Sequence, residues 1–547
     1  MKVKNDDLLF LPLGGSNEIG MNVNLYHYKG KWLMVDCGAG FADETFPGIQ
    51  MVAPDLSFIY ERLDDFLGIF LTHAHEDHIG GVGYLWDQLR CPIYTTKFTA
   101  GLVRNKLAQA GIGEEAEITM IPESGEFDIG PFTLETVGIT HSVPEMNALI
   151  LKTDKGNIFH TGDWKFDPNP VVGESTDFDG LKRIGKEGVH TLICDSTNIF
   201  NEKFSGSEGD LLDSLIDLIS GIKGMAMVTT FASNVARVHT IARAAKACGR
   251  KVVLAGWSLH RITTIAKESG YLQDVDFISD NEMKNYHRDK ILVMSTGCQG
   301  EANAATNKIV SGMHRNIKLT PRDTVIFSSK IIPGNEKSLF KMFNKFIRLG
   351  AEVITEKDHF VHVSGHPSRE ELKRMYEILQ PEIIIPVHGE PTHIHEHVKF
   401  AKACGVPKQF EIQNGEAVRI TESGIESHSH VPFGYLGVDG YMLHPQNGEV
   451  MKSRRRMMND GIIFVSAVIN RDGGLAAEPK VSAPGVVDKS DNHEFFKYVE
   501  EELAEIIDAQ SDTTDNSIYK AVRKATQRIF NEQVGKRPSV EVLITYI

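Results

Sequence analysis

The sequence predicts a multidomain protein of the α/β and α+β classes. Its 547 residues exceed the roughly 250–300 residues that one hydrophobic core can serve, so we expect several domains. Apolar runs of strand length dominate up to about residue 200. Beyond that point strand-like and helix-like segments alternate, which is typical of a parallel sheet covered by helices.

The composition indicates a globular protein without a membrane segment. Hydrophobic residues make up 41% of the chain and charged residues 24%, which are ordinary values for a globular domain. The first residues lack the apolar stretch of a signal peptide, and no run approaches the roughly 18–20 apolar residues of a membrane span. The six cysteines form no CxxC pair, which favours a reducing compartment. We therefore expect a cytoplasmic protein.

The net charge of −15 argues against a protein that coats nucleic acid non-specifically. A nuclease, however, needs positive charge only along its substrate groove. Carboxylates that bind metal also lower the formal sum, because the bound cations are not counted. The acidic balance therefore does not exclude a nuclease.

The first domain, predicted over 1–206, consists mainly of strands. Gly-rich turns, such as Gly14-Gly15, separate the apolar runs. Strands are predicted at 8–13, 21–28, 32–35, 66–71, 92–95, 133–139, 148–153 and 157–161.

A second domain is predicted over 207–357, where strands and helices alternate. The predicted strands are 225–230, 251–255, 290–295, 323–328 and 352–355. The predicted helices are 207–222, 234–248, 258–269, 301–312 and 336–349.

The segment 358–426 returns to strand and loop character, with strands predicted at 359–363, 382–386 and within 410–425. It can complete the first domain, which makes the second domain an insertion. Residues 427–449 are rich in Gly, His and Pro and are predicted as a linker. The last segment, 450–547, is predicted as a small α+β domain. Its strands are expected at 462–469, 474–481 and 539–547, and its helices at about 492–509 and 515–534.

The strongest chemical signal is the run HAHEDH at 73–78. An apolar strand ends just before it and delivers the cluster onto a loop, where side chains can converge. His73 and His75 can point at one metal ion, and Asp77 and His78 can turn to a second. Nitrogen and oxygen ligands without sulfur suit Zn²⁺ or Mn²⁺. The run predicts a metal-dependent hydrolase, with a solvated His-rich loop as the alternative.

Three further residues are candidate ligands. His141, Asp163 and His388 each follow an apolar strand, as the first cluster does. Each one alone is more typical of an ordinary polar loop residue. Side chains at strand ends on one edge of a sheet sandwich would nevertheless converge, so together they predict the rest of the metal shell.

The chain resembles a known family at these positions. Asp36, the HxHxDH run, His141 and Asp163 are spaced as in the metallo-β-lactamase superfamily, and the middle domain resembles the β-CASP nucleases. The matching motifs are CDSTN at 194–198, TGCQGE at 296–301, SSKIIPGNE at 328–336, HVSGH at 362–366 and PVHGE at 386–390. The run LGGSNEIGMN at 13–22 and the C-terminal domain are similar to the bacterial ribonuclease J family.

The resemblance implies an αββα metallo-β-lactamase sandwich built from two segments, an inserted β-CASP parallel-sheet domain and a small C-terminal α+β domain. It also implies two Zn²⁺ ions per subunit, with Mn²⁺ or Mg²⁺ as alternatives. One metal ion would be held by His73, His75, His141 and Asp163. The other would be held by Asp77, His78, His388 and again Asp163. Asp36 would be a carboxylate that orients a ligand.

The resemblance also implies the substrate-handling residues. The catalytic residues would be Asp77, Asp195 and His366, and either Asp195 or His366 would donate a proton to the leaving oxygen. The phosphate site would be lined by His362, Val363, Ser364, Gly365 and His366. Ser233, Asn234 and Val235 would approach the 5′-terminal nucleotide.

The implied activity is 5′-to-3′ exonuclease and endonuclease cleavage of single-stranded RNA, favouring 5′-monophosphate ends. Roles in rRNA maturation and mRNA decay would follow, carried out by a homodimer or homotetramer. The alternatives are a DNA nuclease of the same fold and an RNA-binding subunit whose active site has decayed.

Some positions depart from the family pattern. Cys298 replaces a usual Ser, Ala302 a frequent Pro, and Lys330-Ile331 a commoner small-residue/Pro pair. Some family members bind a structural Ca²⁺ near positions matching Gly48, Gln50 and Asp439. The amide at position 50 replaces a carboxylate and weakens such a site, so the calcium ion is doubtful. The run THIHEH at 392–397 is predicted as the solvated first turn of a helix.

Overall fold

A computed structural model describes residues 1–332, 334–471, 474–510 and 515–547. The chain divides into two compact units, one of Met1–Gly40 and Ala53–Gly434, the other of Phe41–Val52 and Tyr435–Ile547. Pro333, in the motif at 328–336, lies outside the described residues.

In the described parts of the chain, no helix combines the length and apolar character needed to cross a membrane.

Two mixed sheets pack face to face in the first unit. Their inner faces share a core that includes Phe10, Tyr26, Phe70, Phe132 and Leu149, all 0% exposed. In spatial order, the first sheet contains Gly424–His430, Glu416–Thr421, Leu8–Gly14, Val23–Tyr28, Lys31–Val35, Phe66–Phe70, Ile93–Thr95 and Ile118–Met120. The second contains Lys408–Gln409, Ile383–Val387, Thr191–Asp195, Ile158–His160, Asn147–Lys152, Phe132–Gly138 and Gly125–Ile129.

The second sheet is completed by a strand from far along the chain. Ile383–Val387 pairs in parallel with Thr191–Asp195, which pairs in parallel with Ile158–His160. The segment after the insertion therefore returns to the first sandwich, as predicted. Because the three strands run in one direction, their carboxyl ends meet at one edge of the sheet.

Helices cover both outer faces of the sandwich, which confirms the predicted αββα fold. Leu181, Leu372 and Met375 lie under the second sheet in a separate core. The helix Arg369–Leu379 begins with a capping box formed by Ser368 and Glu371. The other helices outside the insertion are Ser57–Tyr60, Glu76–Ile79, Val82–Leu89, Lys97–Gln109, Phe178–Glu187 and Pro391–Ala403, with a 3₁₀ turn at Leu63–Asp65.

The insertion forms a sheet in which every pairing is parallel, as predicted. Its strands, in spatial order, are Phe277–Ile278, Lys251–Ala255, Ile291–Ser295, Ala226–Thr229, Thr324–Phe327 and Glu352–Ile354. Its helices are Leu211–Gly221, Val235–Ala247, Trp257–Ser269, Ala305–Val310 and Glu336–Arg348, with 3₁₀ turns at Glu208–Asp210, Glu282–Asn285 and Arg288–Lys290.

The second unit has α+β character, as predicted for the C-terminal segment. One sheet contains Met442–Pro445, Tyr435–Asp439, Met51–Pro54 and Gly40–Phe41. The other contains Leu475–Ser482, Ile462–Ile469 and Ser539–Tyr546, and a core that includes Phe496 and Phe530 packs against it. The helices are Glu449–Asp460, His493–Asp508 and Asp515–Val534.

Three local predictions are wrong. Residues 427–449, expected to be an irregular linker, contain strands Tyr435–Asp439 and Met442–Pro445, because their Gly and Pro residues mark turns between short strands. Residues 359–363 form no strand; Val361 O accepts hydrogen bonds from side chains instead. His397, expected to be solvated, is 0% exposed and lies between Ser196 and Tyr376.

Candidate metal centre

The predicted metal ligands lie where strands end. The loop carrying His73, His75, Asp77 and His78 follows the strand Phe66–Phe70. His141 follows Phe132–Gly138, Asp163 follows Ile158–His160, and His388 follows Ile383–Val387. The sandwich thus brings Asp77 and His388, which are 311 positions apart in the chain, to within 3.2 Å of each other.

Backbone hydrogen bonds fix the loop at 73–78. Asn22 N–H donates to Asp77 O and Cys37 N–H donates to His78 O, both at 2.8 Å. A Cβ atom at Gly38 would lie 1.9 Å from Asp77 O, so only glycine allows this close approach. The sequence around 20–38 therefore holds the ligand loop against the first sheet.

The first ligand group consists of His73, His75, His141 and Asp163, whose ligand atoms lie within 4.8 Å of one another. His75 Nδ1 and His141 Nε2 face each other at 3.0 Å. His73 Nε2 lies 3.9 Å from Asp163 Oδ2. Three imidazoles and one carboxylate are a donor set that suits Zn²⁺.

The second ligand group consists of Asp77, His78, Asp163 and His388, with ligand atoms again within 4.8 Å of one another. His78 Nε2 lies 3.2 Å from Asp163 Oδ2, and His388 Nε2 lies 3.2 Å from Asp77 Oδ2. Asp163 belongs to both groups, so its carboxylate can bridge two cations.

Two buried atoms in these groups lack hydrogen-bond partners within the described residues. They are His73 Nε2 and Asp163 Oδ2. A buried polar atom without a partner is costly, and a cation between the two would satisfy both. The residues therefore fit a pair of divalent metal ions.

Asp36 orients His78. His78 Nδ1–H donates to Asp36 Oδ2 at 2.7 Å, which leaves the lone pair of Nε2 facing Asp163. Thr72 fixes Asp36 in turn, because its N–H donates to Asp36 Oδ1 at 2.8 Å. Asp36 has a φ of 64°, an uncommon conformation for a residue with a side chain. Through these contacts Asp36 can hold the His78 imidazole in one orientation.

The other histidines are oriented in the same way. His141 Nδ1–H donates to Gly365 O at 2.6 Å, which leaves its Nε2 free to bind a metal ion. His388 Nδ1 lies 2.7 Å from Thr197 Oγ1. His388 also has a positive φ of 53°, which turns its side chain toward the centre as the strand ends.

The electrostatics of the centre favour a cation. Burial lowers the pKa of His73 and His141 well below their ordinary values, and neighbouring imidazoles lower it further, so both rings are neutral. Burial also opposes the charged form of His78 and of His388, but the nearby carboxylates, Asp163 foremost, raise the pKa of both well above the ordinary value. Metal ions displace protons from such nitrogens, because the same carboxylates attract them.

Asp195 and His366 form a hydrogen-bonded couple beside the two ligand groups. His366 Nδ1–H donates to Asp195 Oδ2 at 2.8 Å, and Thr197 N–H donates to Asp195 Oδ1 at 2.8 Å. Burial alone would raise the pKa of Asp195, but His366 and then His388 have a larger effect in the opposite direction. The pKa of Asp195 therefore lies well below its ordinary value. Burial lowers the pKa of His366, but Asp195 and Asp163 raise it overall. Asp195 is therefore a buried carboxylate that favours the protonated form of the His366 imidazole.

Not every predicted substrate residue is accessible. Asn234 Oδ1 accepts from Arg237 N–H and caps the helix Val235–Ala247. The Val235 side chain is 0% exposed, so only its backbone could approach a nucleotide, and the prediction for 233–235 stays a prediction. Val363 is buried as well, whereas His362, Ser364 and His366 are partly exposed. The exposed part of 362–366 can therefore contact substrate through polar groups.

Sequence reasoning missed the residues that orient the ligands. Besides Thr72 and Thr197, Ser142 Oγ lies 3.2 Å from His75 Nε2. Ser142 follows a predicted ligand directly, and Thr72 precedes one. Such adjacency is the only available signal, and it is weak because Ser and Thr are common in loops.

The residues at the doubtful calcium site of the second unit do not fit a calcium ion. The Arg454 guanidinium pairs with the carboxylate of Asp439, and Arg454 Nη1 also donates to Pro47 O at 3.4 Å, next to Gly48. The positive charge of Arg454 thus occupies the Asp439 carboxylate that a calcium ion would need as a ligand. Because Gln50 supplies an amide instead of a second carboxylate, the donors are too few for this hard cation.

We therefore expect calcium to leave the stability of the protein unchanged. Adding millimolar CaCl₂ to calcium-free protein should shift the apparent Tm by less than about 1 °C, because a ligand raises stability only when it binds the folded state. Differential scanning calorimetry with MgCl₂ as the matched control measures this. A rise of several degrees with calcium alone would show that Arg454 yields its place to the ion.

Loss of the Asp36 carboxylate should weaken metal binding without removing a ligand. Asp36→Asn replaces one acceptor oxygen with an N–H that faces either Thr72 N–H or His78 Nδ1–H. We expect metal affinity or activity to fall by about 10- to 100-fold. Metal titration of the apo-protein measures the change, with Asp64→Asn at an exposed carboxylate as the control. Equal affinity of the two variants would contradict the orienting role.

Comparisons with known families agree with this architecture. Residues 19–174 match the metallo-beta-lactamase superfamily, and residues 223–346 match the family described as "Ribonuclease J, beta-CASP domain". Residues 350–408 match "Zn-dependent metallo-hydrolase RNA specificity domain" and residues 449–547 match "Ribonuclease J C-terminal domain".

Several full-length relatives are similar to this chain. Ribonuclease J of Sinorhizobium meliloti is 37% identical, covering 100% of this chain and 98% of the relative. Ribonuclease J 1 of Streptococcus pyogenes is 32% identical (99% and 98% covered), and ribonuclease J of Mycolicibacterium smegmatis is 34% identical (96% and 95%). A solved protein of unknown function from Enterococcus faecalis V583 shares the fold alone, with a TM-score of 0.53, 16% identity, and 76% of this chain and 100% of that one covered.

Three observations lead to one conclusion: identity above 30% over the whole length, four matched domains in order, and groups of His and Asp side chains that could hold a metal ion. The chain belongs to the ribonuclease J family and is a metal-dependent nuclease.

Proposed function

We propose that this RNA nuclease of the metallo-β-lactamase family hydrolyses single-stranded RNA both from the 5′ end and internally, and that it favours 5′-monophosphate ends. The observation that carries the proposal is the pair of ligand groups sharing Asp163, next to the Asp195–His366 couple. Roles in rRNA maturation and mRNA decay, a cytoplasmic location and a homodimeric or homotetrameric state follow from the family and remain predictions.

Two zinc ions are the proposed cofactors, because the ligands are imidazoles and carboxylates without thiolates. Mn²⁺ and Mg²⁺ remain alternatives. His73, His75, His141 and Asp163 would hold one ion, and Asp77, His78, His388 and Asp163 the other. When bound, such a pair acidifies water and neutralises charge on a phosphodiester.

His366 is the proposed proton donor, and Asp195 its positioning residue. Both Asp195 oxygens accept hydrogen bonds, and its side chain is 0% exposed. The His366 side chain is 22% exposed, and its Nε2 lies on the far side of the ring from Asp195. An imidazolium held in this way can transfer its Nε2 proton to the leaving 3′ oxygen.

The polar residues of 362–366 support recognition of a phosphate. Ser364 Oγ accepts from His366 N–H at 3.1 Å, and His362 is partly exposed. Hydroxyl and imidazole groups near the two ligand groups can donate hydrogen bonds to the oxygens of a terminal phosphate. Asp77, on the substrate side, is 30% exposed and would contribute to catalysis as a ligand.

The test compares matched 5′-labelled substrates. With zinc or manganese present, the protein should release mononucleotides from 5′-monophosphorylated RNA at least about tenfold faster than from 5′-hydroxyl RNA, because a hydrogen bond to a charged group contributes about that factor. Faster cleavage of the matched DNA would favour the DNA nuclease. No cleavage, despite full metal content and tight RNA binding, would favour the decayed subunit.

A further inference from the structure

A fully buried arginine lies behind the segment 361–363. The Arg237 side chain is 0% exposed and extends from the helix Val235–Ala247. Its Nε donates to Glu208 Oε1 at 2.7 Å and its Nη2 to Glu208 Oε2 at 3.0 Å. This two-bond pairing neutralises a charge that would otherwise be very unfavourable inside the protein.

The remaining donors of Arg237 fix the segment 361–363. Nη1 donates to Ser328 O at 3.0 Å and to Val361 O at 3.3 Å, and Nη2 donates to Val363 O at 3.3 Å. Ser328 Oγ also donates to Val361 O at 2.7 Å. These side-chain hydrogen bonds take the place of the backbone pairing that the predicted strand at 359–363 would have made.

The same guanidinium contacts His362. Arg237 Nη1 lies 3.2 Å from His362 Nδ1. A guanidinium can only donate, so Nδ1 must be the acceptor and the ring proton must be on Nε2. Burial lowers the pKa of His362 well below its ordinary value, and the charges of Arg237, Lys330 and Lys165 lower it further. The ring is therefore neutral, in a single tautomer.

The Nε2–H of His362 has no hydrogen-bond partner in the part of the chain that the structure describes, and the side chain is partly exposed. Gly365, three positions further, accepts the hydrogen bond of the ligand His141. At the other end of the arrangement, Ala236 N–H donates to Ser142 O at 3.3 Å. The segments that carry Arg237 and His362 therefore also contain Ala236 and Gly365, which touch Ser142 and the candidate ligand His141.

We propose that Arg237, held by Glu208, is a positioning residue that keeps His362 as the neutral Nε2–H tautomer, so that this N–H donates to an oxygen of the substrate phosphate. The inference rests on the proposed function, because it requires a phosphate ligand. A neutral donor with a fixed direction adds selectivity without adding charge. Arg237 itself does not touch the substrate.

The test uses the two amides that mimic the two nitrogens of histidine. The amide nitrogen of glutamine lies near the Nε2 position, and that of asparagine lies near the Nδ1 position. We expect His362→Asn to raise KM for 5′-monophosphorylated RNA by about tenfold, the effect of one hydrogen bond to a charged group. His362→Gln should recover most of that loss. Both variants leave the Arg237–Glu208 pair intact, so folding is not at risk.

A double-mutant cycle tests Arg237. Arg237→Lys keeps a cation but loses the planar fork, and it should raise KM as His362→Asn does, with kcat changed by less than about threefold. Both changes should abolish the same hydrogen bond from His362 Nε2–H to the phosphate, so the double variant should have a KM little higher than either single variant. Additive effects, or equal KM values for the Asn and Gln variants, would overturn the inference while the wild-type protein still cuts RNA. A wild-type protein that does not cut RNA would overturn the proposed function as well.

Discussion

Replacing Asp163 by asparagine should reduce RNA cleavage by at least about 10³-fold, because one carboxylate belongs to both ligand groups. That loss corresponds to roughly 4 kcal/mol of transition-state stabilisation. Asparagine keeps the shape but removes the negative charge that draws both cations together. Metal content, measured by mass spectrometry on the same samples, should fall for both sites at once.

Two controls make the Asp163→Asn result specific. Asp276→Asn changes an exposed carboxylate and should leave cleavage and metal content unchanged. His75→Ala removes a ligand from the first group alone, so it should retain more metal than Asp163→Asn. Full activity in both ligand variants would show that the chemistry takes place elsewhere.

Replacing His366 by alanine should lower kcat by about 10²- to 10⁴-fold, the usual contribution of a positioned general acid. KM and metal content should change little, because His366 lies outside the two groups proposed to hold the metal ions. A third possible group joins it to Asp163, Asp195 and His388, but there its Nδ1–H donates to Asp195. Single-turnover cleavage of a 5′-labelled RNA separates this loss of chemistry from a loss of binding.

The exposed His287, whose side chain is 84% exposed, provides the matched control as His287→Ala. His366→Gln tests whether a neutral donor at the same place is enough. A kcat within about tenfold of the wild-type value in both His366 variants would assign the proton donor to another group.

The sequence was sufficient to predict that the candidate ligands converge, but not which residues orient them. The seven predicted ligands share one local pattern, since each lies in a loop that follows an apolar strand, and the structure brings all seven side chains together in groups that could hold a metal ion. Thr72 and Thr197 carry no comparable signature. Their contacts with Asp36 and His388 depend on how separate strands are placed in space.

Local patterns also failed where distant partners decide the structure. The run at 359–363 was predicted as a strand, but buried Arg237 donates hydrogen bonds to the carbonyl groups of Val361 and Val363. His397 lies in a helical turn that was predicted to be solvated. Its side chain is buried, and its Nδ1 lies 2.9 Å from the hydroxyl of Ser196, a residue 201 positions away. The segment Phe41–Val52 belongs to the C-terminal unit, and no local sequence pattern predicts this. Short strands carry too little pattern to show which distant strand they pair with.

The late position of His388 has a consequence for synthesis. A ribosome produces the chain from its N-terminus, so the ligands His73, His75, His141 and Asp163 are available long before the strand Ile383–Val387 exists. The second ligand group stays incomplete until the whole insertion has been translated. A growing chain therefore lacks the second ligand group, and the candidate metal centre can be completed only after His388 has been added.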